Sequence, residues 1–202
     1  MKTKQLHYFS GLAIATFVAI HLTNHIISVF GADAHIRFMA TIRHIYRNPI
    51  IETALLVAVI TQIISGIKLV RKKATGFFEK LHIYSGLYLA FFLTLHVSAV
   101  LIGRFVLHLD TNFYYGAAGI NVFPTSIFFV PYYSLAIISF FGHVAAIHSK
   151  KMGKTYLSLT PIRQAQMIFA FGWLLTAIIF YGLTNHFNGI NIPKEYNVLI
   201  GK

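Results

Sequence analysis

The sequence predicts an all-α fold, an integral membrane bundle of five transmembrane helices, and three observations predict it. Of its 202 residues 56% are hydrophobic and only 11% are charged, where a soluble domain typically carries about 25% charged residues. The mean hydropathy is +0.67. Apolar stretches recur at the length of about 20 residues that a helix needs to cross the hydrocarbon core, and the basic residues gather between them. A net charge of +12 would suggest nucleic acid in a soluble chain. Interleaved with apolar runs, the same charge reads as topogenic. The chain has no cysteine, which excludes disulfides, zinc thiolates and iron–sulfur ligation by this chain.

The first span, Tyr8–Phe30, follows Lys2 and Lys4. It carries histidines that a cleaved signal would not need. The second, Ile50–Val70, is ended and followed by Lys68, Arg71, Lys72, Lys73 and Lys80. The third is Ile83–Leu107. The fourth, Ser126–His148, is followed by Lys150, Lys151, Lys154 and Arg163. The fifth is Ala165–Leu183. The positive-inside rule puts the three basic regions in the cytoplasm, so the N-terminus is cytoplasmic and the C-terminus outside. Arg37, Arg43 and Arg47, between Gly31 and Pro49, weaken that contrast without reversing it. The segment His108–Thr125, with Asp110, Asn112, Gly116 and Gly119, reads as an outer loop. No linker or low-complexity tract divides the chain, so residues 1–202 are expected to form a single multi-pass domain.

One phrase occurs twice. LHYFSGLAIATFVAIHL from Leu6 is answered by LHIYSGLYLAFFLTLHV from Leu81, 75 residues later and without a gap. The first and third spans run the same way across the membrane, so matched residues share a depth. His21 and His96 each lie ten residues beyond a glycine, Gly11 and Gly86, which is about 15 Å further along the helix. Two imidazoles at one depth on neighbouring helices can hold a flat ligand from opposite sides, and haem iron with two axial histidines is that arrangement. The glycines allow a porphyrin or a second helix to approach the backbone.

His7 and His82 form a second matched pair at the cytoplasmic edge. They suit a second haem, a haem propionate or a quinone headgroup. Ser10 and Ser85, ahead of the glycines, fit either the same cofactor surroundings or a small-residue packing notch. In the fourth span His143 lies about as deep as Gln62 in the second. His143 is either an axial ligand with an unusual partner or a histidine bonded to Gln62. His25 and His186, near the outer surface, read as interfacial polar caps in preference to quinone ligands. Glu52 is the one carboxylate placed to serve a proton path.

On Ser10-Gly11 with His21, Ser85-Gly86 with His96, His143, and the SLTPIRQAQ segment at Ser158–Gln166, the chain resembles the cytochrome b membrane-anchor subunit of succinate dehydrogenase and fumarate reductase, in its single-chain, five-helix form. The likeness covers nearly the whole chain. It implies haem b held in the bundle. It also implies electron transfer between quinone, here menaquinone, and a flavoprotein and an iron–sulfur subunit on the cytoplasmic face. The outer haem of that family is held from helices one and three, matching His21 and His96. The inner haem is held from helices two and four, matching Gln62 and His143, and glutamine there departs from the family's pattern. One haem is therefore expected, and a second only if His143 finds a partner ligand. The residues ahead of the Ser-Gly step, His7, Tyr8, His82 and Ile83, fall where the family places propionate or quinone contacts. The basic loops Lys68–Lys80 and Lys150–Arg163 read either as the docking face for the iron–sulfur subunit or as topogenic charge alone. The alternatives are the cytochrome b anchor of a hydrogenase, formate dehydrogenase or nitrate reductase, and a haem-free transporter or structural anchor.

Overall fold

The computed structural model describes residues 2–70 and 74–202, so Arg71, Lys72 and Lys73 of the first basic loop lie outside the described residues. The helices are α1 (Thr3–Ile27, prolonged by a 3-10 turn at Ser28–Phe30), α2 (Ala32–Tyr46), α3 (Pro49–Leu69), α4 (Phe77–Phe105), α5 (Phe113–Asn121), α6 (Ser126–Lys151) and α7 (Pro161–Leu183). A last 3-10 segment covers Lys194–Ile200. Among the described residues five helices, α1, α3, α4, α6 and α7, are long and apolar enough to cross a membrane.

Local chemistry sets where these helices begin. Asn48 accepts the Ile50 N–H at 3.0 Å and Pro49 takes the first turn of α3, a position where proline's missing N–H costs nothing. Thr160 and Pro161 repeat the device at α7, and Asn112 caps α5 through the Tyr114 N–H at 2.9 Å. At α4 the Glu79 carboxylate accepts from the N–H of Thr75 and of Gly76, at 3.0 and 3.5 Å. That cap starts the helix at Phe77, six residues ahead of the apolar boundary at Ile83. Charge blocks mark the hydrocarbon edge, but the hydrogen-bonded helix continues past it.

Two helices stand where loops were expected. Both are too short to span, and hydropathy windows tuned to spans pass over them. α2 is amphipathic: His35 and Met39 are buried while Arg37 and Ile45 stay outside. α5 buries Phe113, Ala117, Ala118 and Ile120. The chain therefore repeats a unit of long helix, short helix, long helix: α1–α2–α3, then α4–α5–α6. α7 belongs to neither.

The five long helices close a ring. α1 packs on α3, α3 lightly on α4, α4 on α6, α6 on α7, and α7 back on α1. α1 and α4 are not packed backbone to backbone. Glycines allow the tight joints of α7. A Cβ at Gly172 would fall 2.5 Å from the Phe141 Cβ, and one at Gly182 would meet the Ser28 hydroxyl and the Val29 nitrogen. The buried core of Leu22, Phe113, Ala117, Ile120, Ile137, Leu175, Ile179 and Leu183 sits toward the end that carries α2 and α5. α3 buries little besides Ser65. An ion pair, Glu52–Arg104, ties its first turn to the end of α4.

Candidate functional site: two histidine clusters between α1 and α4

The repeat brings its matched residues together. The rings of His21 and His96 face each other across the α1–α4 gap with centroids 6.1 Å apart. Two imidazoles ligating one metal from opposite sides, through bonds of about 2 Å, stand roughly 6 Å apart centre to centre. Each histidine is backed by a phenylalanine one turn earlier. Phe17 stacks on His21 at 5.7 Å and Phe92 on His96 at 4.9 Å. Phe17 and Phe92 are themselves matched positions of the repeat, 75 residues apart. His96 has no hydrogen-bond partner among the described residues and is half-buried. His21 is engaged: its Nε2 lies 3.2 Å from Nε2 of His25, the next turn outward.

Behind this pair lies a polar group the sequence did not flag. His35 reaches in from α2 and is 2% exposed, beside Asn24, which is 3% exposed. The Asn24 amide donates to His35 Nε2 at 3.0 Å, so His35 is the neutral imidazole. Burial, and then the neighbouring His21 and Arg43, push its pKa down to about 4. His25 bridges the two groups, with its ring 5.4 Å from that of His35. Asn24 Oδ1, His25 Nδ1 and His35 Nδ1 are buried with no partner, and unpaired buried polar atoms are costly. His35 went unnoticed because its segment read as a loop.

The inner cluster is built from the same phrase. On α1, His7 donates from Nδ1 to the Ser65 hydroxyl at 3.0 Å and accepts at Nε2 from the Gln62 amide at 3.3 Å. Gln62 Oε1 accepts from Ser10 at 2.6 Å. A Cβ at Gly11 would fall 3.2 Å from Gln62 Nε2. Against α4, His143 of α6 places its Nδ1 3.2 Å from the His82 carbonyl and 3.3 Å from the Ser85 hydroxyl. A Cβ at Gly86 would fall 3.2 Å from the His143 Cε1. The two Ser-Gly steps thus each receive one polar side chain of the packed helix, Gln62 for Ser10-Gly11 and His143 for Ser85-Gly86. No hydrogen bond joins Gln62 to His143. His82 lies against His143 with centroids 4.4 Å apart, too close for a porphyrin between them. The His143 Nδ1–H donates to a carbonyl, which leaves Nε2 unprotonated, as in a ligating histidine. Gln62, which takes the corresponding place beside Ser10-Gly11, is bonded to Ser10 and His7.

Other singled-out residues have structural partners. His186 lies 3.1 Å from the Val29 carbonyl and stacks on Tyr181. His148 donates to Gln164 at 2.8 Å, and Gln164 in turn donates to the Lys154 and Leu159 carbonyls. The SLTPIRQAQ segment therefore caps α7 and clamps the turn before it. Glu52 is held by Arg104. Lys151 lies over the Tyr8 ring at 4.9 Å, so one charge of the second basic loop is turned back onto α1.

Phe17 and Phe92 were legible in the repeat, since they align as plainly as the histidines. Comparison with protein-family models, with curated protein sequences and with solved structures finds no match to this chain.

Proposed function

We propose that this chain is the haem b-bearing membrane anchor of a succinate:quinone oxidoreductase, passing electrons between an iron–sulfur subunit and membrane quinone. The observation that carries the reading is the His21–His96 pair, with ring centroids 6.1 Å apart between α1 and α4, the two helices that carry the repeated phrase and do not pack on each other. A bound haem would supply one-electron chemistry there. His21 and His96 would hold the iron. Phe17 and Phe92 fix the tilt of the two imidazoles and keep the pocket apolar. To ligate, His21 must give up its bond to His25, and His25 then turns its freed Nε2 toward the Asn24–His35 group. One haem per chain fits better than two, because in the inner cluster Gln62 is spent on Ser10 and His7.

In this reading the N-terminus and the basic loops Lys68–Lys80 and Lys150–Arg163 face the cytoplasm and the two catalytic subunits. The α2–α5 end faces outward, and the membrane is a bacterial cytoplasmic one. Menaquinone is the expected quinone, with His7 and His82 as headgroup or propionate contacts. The test is a reduced-minus-oxidised spectrum of freshly purified protein with haem quantified per chain. A b-type band at one haem per chain supports the reading, and its absence sinks it. Co-purifying subunits distinguish a succinate or fumarate enzyme from another respiratory dehydrogenase. One observation favours a second reading, a haem-free membrane protein: the His21–His25 bond occupies the nitrogen that iron would need.

A further inference from the structure

A shallow, open basin of about 320 Å³ lies at the α2–α3 corner, lined by Arg43, His44, Arg47 and Asn48. It lies at the end of α2, outside both histidine clusters. Its charges are only partly balanced. Arg43 pairs with Asp110 at 2.7 Å, and Arg47 lies 4.0 Å from the same carboxylate. Arg47 also donates to the Thr111 hydroxyl at 2.9 Å. The nearby Arg104 is matched by Glu52. Three guanidinium groups therefore meet two carboxylates. Arg43 keeps its Nε and Nη2 buried without any partner, and the excess positive charge of the corner is left to Arg47, whose guanidinium suits a phosphate oxygen. Burial, with Arg43 and Arg104 close by, lowers the pKa of Arg47, as expected where positive charge is in excess.

The rim is apolar. Ile45, Ile50 and Ile51 stand exposed around the basic floor, Ile50 at 81%. From Ile50 an exposed stripe continues down α3 through Val57, Ile60, Ile64 and Ile67. A basic pocket at the head of an outward-facing apolar stripe matches a phospholipid, with the phosphate in the pocket and the acyl chains along the helix. A free phosphate would use the pocket and leave the stripe unused.

We propose that Arg43, His44, Arg47 and Asn48 form a binding site for the phosphodiester headgroup of an anionic membrane lipid, whose acyl chains lie along α3. The lipid would supply the negative charge that the three guanidinium groups lack, above all at Arg47, which lies 4.0 Å from Asp110. It also accounts for the three arginines that blur the charge contrast between the ends of the bundle.

The test uses the full chain, delipidated in detergent and returned to nanodiscs of phosphatidylglycerol or of phosphatidylcholine. Native mass spectrometry should show one phosphatidylglycerol retained per chain and no retained phosphatidylcholine, with a higher melting temperature in the anionic lipid. R47Q should weaken phosphatidylglycerol retention roughly tenfold, the loss expected for one charge-assisted contact, and R47K should weaken it less. K154Q, distant from the pocket, should not change it. Equal retention of the two lipids by the unmodified chain overturns the proposal without need of any variant. So does equal retention of phosphatidylglycerol by R47Q. Displacement of the lipid by millimolar inorganic phosphate would show a simple anion site and overturn the lipid assignment.

Discussion

The Ser10 hydroxyl donates to the side-chain oxygen of Gln62 at 2.6 Å, joining α1 to α3 in the inner half of the bundle. This bond, with the Gln62 contact to His7, makes the glutamine a structural member of the α1–α3 joint. Gln62→Leu should destabilise the protein by about 1–3 kcal/mol, the cost of leaving buried partners unpaired. Haem content per chain should stay unchanged. A melting curve and a haem assay on the same preparation check both halves.

His96→Ala and His21→Ala should each reduce haem to near zero, because each removes one of the two ligands proposed for the iron. Phe92→Leu should retain haem but alter the low-spin spectrum, since His96 loses the ring it stacks on at 4.9 Å. A full low-spin spectrum in both histidine variants would contradict the ligand assignment.

Acid should loosen the α1–α2 contact. The His35 pKa falls from 6.5 to about 4 in the folded protein, so the unfolded chain binds the proton first. The stability held by neutral His35 is intact above about pH 6.5 and is lost as the pH falls toward 4, up to an order of 3 kcal/mol. Protection of α2 amides against hydrogen exchange, taken relative to the intrinsic rate at pH 7 and at pH 5, reads this. His35→Phe should reduce the pH dependence.

Gly182→Ala should destabilise the seam between α7 and the turn after α1. The added Cβ would sit 2.7 Å from the Val29 nitrogen, a backbone atom that cannot rotate away. The cost of such overpacking is about 1–3 kcal/mol. Gly116→Ala, where no atom lies within 4 Å, is the control and should be neutral or better in thermal unfolding.

Glu52→Gln should free the first turn of α3 from α4. The pair it forms with Arg104 is only partly exposed, 24% and 19% on the two sides, and losing it leaves a guanidinium without its counter-charge. A loss of about 1 kcal/mol is expected once solvent screening is allowed for. Limited proteolysis near Asn48 should speed up accordingly.

Hydropathy revealed the five long helices because each spans an apolar environment by itself, and that signal is local. α2 and α5 were not legible, since each buries a face only against a neighbour that the sequence does not identify. The repeat revealed the outer pair, as depth along parallel helices follows from residue count alone. It could not show that His143 and Gln62 serve separate helix pairs. That depends on which helices pack, α1 with α3 and α4 with α6. Nor could it show that His25 reaches back to His21 or that His35 enters from α2. These contacts are made by side chains whose direction only the packed bundle fixes.

α7 is the helix that shuts the ring, packed on α6 and on α1. Without it the two repeated units would be joined through α3–α4 and α2–α5, and nothing would brace α1 against α6. The tight glycine joints of α7 at Phe141 and Ser28 supply that brace. The spacing between the two halves of the repeat is thus gauged by a helix that belongs to neither.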